Sequence, residues 1–518
     1  MDRSFRQTMA ALHTRSGLLP GWLLYAIFLF GTTAFFQSEI SAWMTPEVRD
    51  APVTRKALDR AWAFLNEKAP DAERWMISLP GGMRPELFSV SWIPREDASA
   101  RHGEVVLDMV TGHEVTVRET RGGNFLYRFH FDLHYIPVAW SRLIVSIAAL
   151  AMLVGILSGV IIHKKIFGDF FLLRFGKAQR SWLDAHNVTA VLALPFHLMI
   201  TYTGLVTLLF TLMPWAISAN YPSVDAFYEA LHETGPRQEA TGKHAALLPL
   251  PILIDRAARI YGDARPSSIT IDNPGDASAT VVTWPRDDTI FRGHGAISFS
   301  GVSGRLLYEA RQTAAASATK GVMIGLHAGR YSGPVLRWLY FLSGLAATMM
   351  IATGLVLWTV KRRLKLPDPA RPHLGFRLVE RLNIGAIVGA PAGIAAYFLA
   401  NRLLPPSMAH RGDWEINSLF VAWGGLFVWT LARPAKRAWV EALAACGALY
   451  ALVPLANAAT TARGLIPSLI TRDWVFAGFD LVMLAMTAIC TFTAWRVVHH
   501  VPKAAPRRKA RAPLAATS

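Results

Sequence analysis

The sequence predicts an α-helical polytopic membrane protein of about eight transmembrane helices, with two small α/β domains of antiparallel sheet on one side of the bilayer. Three observations predict it. The 518 residues are 52% hydrophobic and only 17% charged, against about 25% charged in an average soluble chain. Runs of roughly 20 uncharged apolar residues recur along the chain, each long enough to cross a bilayer as a helix. The basic residues, 53 Lys and Arg against 36 Asp and Glu, gather in alternate connections between those runs. A composition of 11% aromatic residues with 17 Trp excludes a disordered or collagen-like chain.

The predicted spans follow in order. The first runs from Leu18 to Gln37. It has no small-residue cleavage site at its end, so it reads as an anchor, not a cleaved signal. The next three are Leu143–Ile162, Val188–Ser218 and Trp338–Val360, and the last four Ile384–Ala400, Ile416–Ala432, Ala442–Thr461 and Trp474–Trp495. Arg3, Arg6 and Arg15 precede the first span. Lys164, Lys165, Arg174, Lys177 and Arg180 join the second to the third, and Lys361, Arg362, Arg363 and Lys365 follow the fourth. The positive-inside rule then places both termini in the cytoplasm. The domains expected are 1–38 (cytoplasmic start and first span), 39–137 (outer domain), 138–218 (second and third spans), 219–333 (outer domain), 334–363 (fourth span), 364–383 (cytoplasmic loop), 384–497 (last four spans) and 498–518 (basic tail).

The outer segments resemble each other. Residues 54–68 read as a helix, then strands, then a strand–turn–strand at Val105–Val115. Pro251–Tyr261 reads as a helix, followed by strands at Ser268–Asp272 and Ala279–Trp284 and another strand–turn–strand at Ala296–Leu307. One α/β unit is repeated. Several functions are excluded. Cys446 and Cys490 lie in apolar runs, with no C-x-x-C and no C-x-x-C-H, so zinc ribbons, iron–sulfur clusters and covalent haem attachment are out. No glycine-rich nucleotide loop is present. The net charge of +17 is spread over span flanks without a base-reading motif, so nucleic acid is not a partner; the lipid bilayer is.

The histidines carry the chemistry. His13, His134, His163, His186 and His327 fall at ends of the first four spans, His130 lies one helical turn before His134, and His197 lies inside the third span. No His falls within the last four apolar runs. An ionisable side chain within a span is a functional signal. On a continuous helix, His186 and His197 would lie about 20° apart in angle and roughly 16.5 Å apart in height. Facing His pairs in a helix bundle hold b-type haem through axial imidazoles. A proton relay or a metal site uses the same residues, and a single His at a helix end also serves as an interfacial anchor. Arg142 and Arg330 suit a haem propionate, or surface anchoring. Asp480, about two turns into the last span, reads as a structural residue.

At these residues the chain resembles the PepSY-associated transmembrane helix family of bacterial inner-membrane proteins. The matching stretches are Leu12-His13-Thr14-Arg15-Ser16-Gly17-Leu18, Asp132-Leu133-His134, Trp182-Leu183-Asp184-Ala185-His186-Asn187, Leu194-Pro195-Phe196-His197-Leu198-Met199 and Gly325-Leu326-His327-Ala328-Gly329-Arg330. The second-span exit, His163-Lys164-Lys165-Ile166-Phe167-Gly168-Asp169-Phe170-Phe171, also looks like the family. The resemblance covers about residues 8–363, and the outer segments look like PepSY-type periplasmic domains. It implies two non-covalent b haems, with axial ligands among His13, His134, His186, His197 and His327. His134 is expected to pair with His327 toward the outside, and His13, His186 and His197 to lie nearer the inside. It further implies a haem-dependent oxidoreductase passing electrons from quinol or a separate reductase to a ferric siderophore in the periplasm. The alternatives are a non-catalytic PepSY module that binds a periplasmic protein, and a proton-coupled siderophore or iron transporter using His and Asp480. The last four spans have no counterpart in a four-helix core.

Overall fold

The computed structural model describes residues 4–500 apart from 50, 81–86, 96–101, 164–172, 175, 177, 178, 232–234, 236, 237, 263, 287, 288, 292, 293, 312 and 313. The Lys164–Phe171 stretch and most of the basic tail therefore lie outside the described residues. Helix α1 (Phe5–Leu18) starts on a capping box of Ser4 and Gln7 and carries His13. Pro20, which has no backbone donor, separates it from α2 (Gly21–Met44), the first span. The expected span from Leu18 thus begins three residues later, and His13 sits on a helix of its own.

The first extramembrane unit holds α3 (Arg55–Lys68) and strands β1 (Ala72–Ser78), β2 (Ser89–Pro94) and β3 (Gly103–Val106). A short helix α4 (Gly122–Phe129) leads back to the second span, α5 (Val138–Ile162). The third span is broken. α6 (Gln179–Leu192) and α7 (Leu194–Thr207) meet at an angle of 68°. Pro195 has no N–H for a continuing helix and its ring would clash one turn back, so the chain bends at Ala193. Two one-turn helices, Leu209–Leu212 and Trp215–Ser218, replace the expected continuation to Ser218.

The second unit holds α8 (Leu250–Ile260) and strands β4 (Ser268–Asp272), β5 (Thr280–Trp284), β6 (His294–Ser300) and β7 (Leu306–Arg311). The strands do not form two sheets. They make one seven-stranded antiparallel sheet of order β3-β2-β1-β4-β5-β6-β7. Two separate small domains were expected; one continuous body is found. The reason is the seam. β1 and β4 pair in register, Trp75 opposite Ile271 and Ile77 opposite Ile269, so two edges that would expose backbone donors and acceptors satisfy each other. All four side chains are buried against α3 and α8, with Ala61, Leu65, Leu253 and Ala257. On the other face Arg74 closes the seam with Asp272 at 2.6 Å.

Helix α9 (Ala315–Ala328) returns to the membrane and α10 (Pro334–Arg363) is the fourth span. Then come α11 (Leu374–Leu403), α12 (Arg411–Leu431), α13 (Ala435–Thr460) and α14 (Trp474–Val498). Among the described residues, six helices are long and apolar enough to cross a membrane, or seven with the bent α6–α7 pair as one. The expected eighth is α12, whose first turns carry Arg411, Asp413, Glu415 and Asn417. α11 is longer than its apolar run because protein surrounds it: Arg381, Asn383, Asn401 and Arg402 are all buried.

The last four helices share a buried polar network. Arg411 and Glu415 are fully buried and 2.5 Å apart. Glu415 also accepts from Thr120 at 2.6 Å and Asn401 at 2.7 Å. Arg402 donates to Asn457 at 2.9 Å and to the Trp43 carbonyl, with its guanidinium 3.6 Å from the Trp43 ring centre. Asp480 accepts from Asn457 at 3.0 Å and Trp43 at 3.3 Å, in keeping with a structural role. These helices clamp the connections around Trp43 and Thr120, where the chain enters and leaves the extramembrane unit.

In the β4–β5 turn, Asp276 accepts from the Ser278 amide and hydroxyl, both at 2.7 Å, and from the Thr241 amide and hydroxyl at 3.1 and 2.7 Å. These bonds, that of the Ser278 hydroxyl foremost, hold its carboxyl well below the usual carboxylate range. A depressed folded pKa gives stability that is present above the unfolded value of about 3.9 and is lost as pH falls toward the folded one. Asp276→Ala should therefore speed amide exchange around Thr241 and Ser278 at pH 7. The loss should be about 1–3 kcal/mol of local stability, and exchange corrected for intrinsic rates should converge with wild type as the pH drops below about 4.

Candidate functional site

Two cavities follow one another through the bundle formed chiefly by α1, α2, α5, α6, α7, α9 and α10. The one beside the extramembrane domain has a volume of about 580 Å³ and the far one about 870 Å³. Along α5 the first is lined by Arg142, Val145 and Met152, the second by Met152, Gly155, Gly159 and His163. Leu24 and Met152 line both, so a single layer of side chains separates them.

Each cavity holds a facing pair of histidines. In the domain-side cavity the rings of His130 and His327 have centres 6.4 Å apart and planes 19° apart. In the far cavity His13 and His186 have centres 6.3 Å apart and planes 65° apart. A metal–imidazole bond is about 2.0 Å, and a ring centre lies about 1.2 Å behind its nitrogen, so two imidazoles on one iron have centres about 6.3 Å apart. Both pairs meet that separation.

The four rings also share one hydrogen-bonding pattern. Nδ1 of His13 bonds the Gly155 carbonyl at 2.8 Å, that of His186 the Met350 carbonyl at 2.8 Å and that of His327 the Ile200 carbonyl at 3.0 Å. Nδ1 of His130 bonds the Tyr127 carbonyl. A carbonyl has no proton to give, so each Nδ1 must carry one, and each Nε2 keeps its lone pair. This is the arrangement by which proteins orient metal-ligating histidines.

Glycines give the rings room. A Cβ at Gly204 would stand 2.8 Å from the His327 ring, at Gly354 3.1 Å from His186, at Gly159 3.2 Å from His13 and at Gly31 3.6 Å from His130. Gly329 closes α9 in the left-handed conformation, φ 64°. That turn sends Arg330 over the Tyr127 ring, 5.7 Å from its centre. The Gly-Leu-His-Ala-Gly-Arg stretch is thus a cavity histidine followed by a helix stop.

The expected partner of His327 was His134; the structure puts His130 there instead. One helical turn separates the two in sequence, but α4 ends at Phe129 and the chain turns through Tyr135 at φ 64°. His134 consequently leaves the bundle interior and stacks on Phe420 of α12, ring centres 5.9 Å apart. His197 lines the far cavity at 1% exposure. The bend at Ala193 puts it on a different helix from His186. The carbonyls of Ala190 and Ser343 lie near its ring, but neither nitrogen makes a well-aligned hydrogen bond. His163 caps α5 and meets the Asn187 amide at 3.0 Å. Arg142 is paired with Asp132 at 2.8 Å. Two cavity residues had no sequence signal, Arg286 and Arg337; both come from outside the spans or their first turn. Among the described residues no cluster of three or more His, Cys, Asp or Glu is placed to hold a bare metal ion. Haem asks the protein for two ligands only, because the porphyrin supplies the rest.

The family model of the PepSY-associated TM region matches residues 10–361, a stretch that contains most of α1, all of α2 to α9, most of α10, and all four paired histidines. The chain belongs to this family. It is a multi-pass membrane protein whose extramembrane part is the antiparallel sheet described above. It is also similar to the uncharacterized protein PA4219 of Pseudomonas aeruginosa, 27% identical over 395 residues, which covers 71% of this chain and 93% of that protein.

The two glycine seats should respond with opposite sign. Gly204→Ala forces a methyl into the His327 ring and should lower the thermal midpoint, a cost of about 1–3 kcal/mol. Gly31→Ala meets only ordinary contact and should hold or raise it, since alanine favours a helix by about 0.5–1 kcal/mol. Differential scanning fluorimetry in detergent reads both.

Proposed function

We propose that this protein is a b-type dihaem oxidoreductase of the bacterial inner membrane that reduces ferric siderophores in the periplasm. The observation that carries the reading is the pair of carbonyl-oriented histidine couples, each with the ring separation that one iron between two imidazoles requires. His130 and His327 would hold one haem and His13 and His186 the other. Haem, when bound, supplies a one-electron couple at each position.

The chain's own residues do the rest. Nδ1–H bonds to backbone carbonyls fix each ring and raise its basicity. The apolar walls, with Leu24 and Met152 between the cavities, exclude water and keep the two positions within one side-chain layer of each other. Arg330 at one mouth, and Lys361 and Arg362 at the other, suit the carboxylates of propionate groups, while Arg142 is held by Asp132. Electrons would enter at the far side from quinol or a separate reductase. The substrate iron, once reduced from Fe(III) to Fe(II), is held less tightly by hard oxygen ligands and is released. Asp480 accepts from Trp43 and Asn457, which supports a structural role for it over the proton-coupled transport reading.

The test is spectroscopic. Purified protein should show a reduced b-type spectrum with two haems per chain. His130→Ala and His327→Ala should each remove one haem, His13→Ala and His186→Ala the other, and His134→Ala neither. Colourless protein from haem-replete cells would overturn the reading. Loss of a haem with His134→Ala but not with His130→Ala would overturn the ligand assignment.

A further inference from the structure

We infer that the mouth of the domain-side cavity is a carboxylate-binding site organised by Arg286, a residue of the extramembrane domain. Arg286 follows the end of β5 and lines the cavity that holds His130 and His327. Its Nε is buried without a hydrogen-bond partner. Three more guanidiniums line the same cavity, and their charges are differently placed. Arg142 is paired with Asp132 and Arg337 with Glu39 at 2.6 Å, while Arg330 stands over the Tyr127 ring. Among the described residues no carboxylate is paired with Arg286. An unpaired charge beside a low-dielectric cavity is costly unless an anion meets it.

The position of Arg286 is set by packing. A Cβ at Gly325 would stand 2.0 Å from the Ile290 carbonyl oxygen, and one at Gly321 2.4 Å from the Phe291 ring. Ile290 and Phe291, four and five residues after Arg286, therefore lie directly on α9, the helix that carries His327. His327 and the guanidinium thus line one cavity from two neighbouring parts of the chain, α9 and the end of β5. A guanidinium fork matches a carboxylate in a bidentate manner, which sets the ligand class. The carboxylate has two sources, a propionate of the domain-side haem or a carboxylate-bearing ferric chelate arriving from the periplasm. Only the first source rests on the haem reading above.

Full-length protein in detergent, with Arg286→Gln and Arg286→Lys, distinguishes them. Redox titration follows the domain-side haem, and equilibrium binding is measured with ferric citrate and with a ferric trihydroxamate lacking carboxylates. If the ligand is a propionate, Arg286→Gln lowers the potential of that haem and leaves both chelates unaffected. If it is the chelate, Arg286→Gln weakens ferric citrate about three- to tenfold and leaves the trihydroxamate unchanged. Arg286→Lys keeps the charge without the fork and should fall between, and it carries the test should Arg286→Gln fail to fold. Wild-type potential and wild-type citrate affinity in the variants would overturn the site. Haem-free wild-type protein would sink the haem reading and leave ferric citrate binding to decide the site, with no citrate binding overturning it too.

Discussion

The structure turns on a hydrogen bond between a histidine Nδ1 and a helix carbonyl, made four times. In an apolar bundle an imidazole with both nitrogens unsatisfied is expensive, and one with both satisfied cannot ligate. Bonding Nδ1 to Gly155, Met350, Ile200 or Tyr127 leaves Nε2 as the available lone pair. The helices must then approach within the reach of a side chain, so glycines stand where the rings lie. His197 shows the opposite case, a buried ring with neither nitrogen in a well-aligned bond.

The extramembrane domain reaches this core as one body. The seam between β1 and β4 makes the two sequence repeats one body, so the domain has no internal joint between its halves. The contact of Ile290 and Phe291 on Gly325 and Gly321 then fastens that body to α9. The sheet domain and the helix that carries His327 are thereby held against each other, with the missing side chains of two glycines allowing the close approach.

The last four helices add no histidine to either cavity except His373, which lines the far one while capping α11. Their contribution is the buried network of Arg402, Arg411, Glu415, Asn401, Asn457 and Asp480. Removing one partner of a buried ion pair such as Arg411–Glu415 typically costs about 3–5 kcal/mol, because it strands the other charge. That network grips the Trp43 and Thr120 connections and so sets where α2 and α4 enter the membrane. Since α4 delivers His130, the C-terminal helices position the domain-side pair at one remove.

The sequence alone determined most of the lipid-facing architecture. A span in contact with hydrocarbon must be apolar for about 20 residues, and α5, α10, α13 and α14 announced themselves in that way. It also determined the repeat, because strand alternation and glycine turns are local. It singled out the histidines, because a charge-capable ring in an apolar run is conspicuous. Tertiary structure decided what depends on surroundings. α11 is shielded by protein, so its polar residues cut its apolar run short, and α12 begins in the buried network. Edge pairing of β1 with β4 has no local signal, and two repeats read as two domains until their edges meet. The choice of His130 over His134 hung on where α4 stops, since one turn of helix keeps two side chains on one face only while the helix lasts. Arg286 was illegible for a related reason: a lone arginine in a loop means nothing until packing sets it beside a cavity some 40 residues away along the chain.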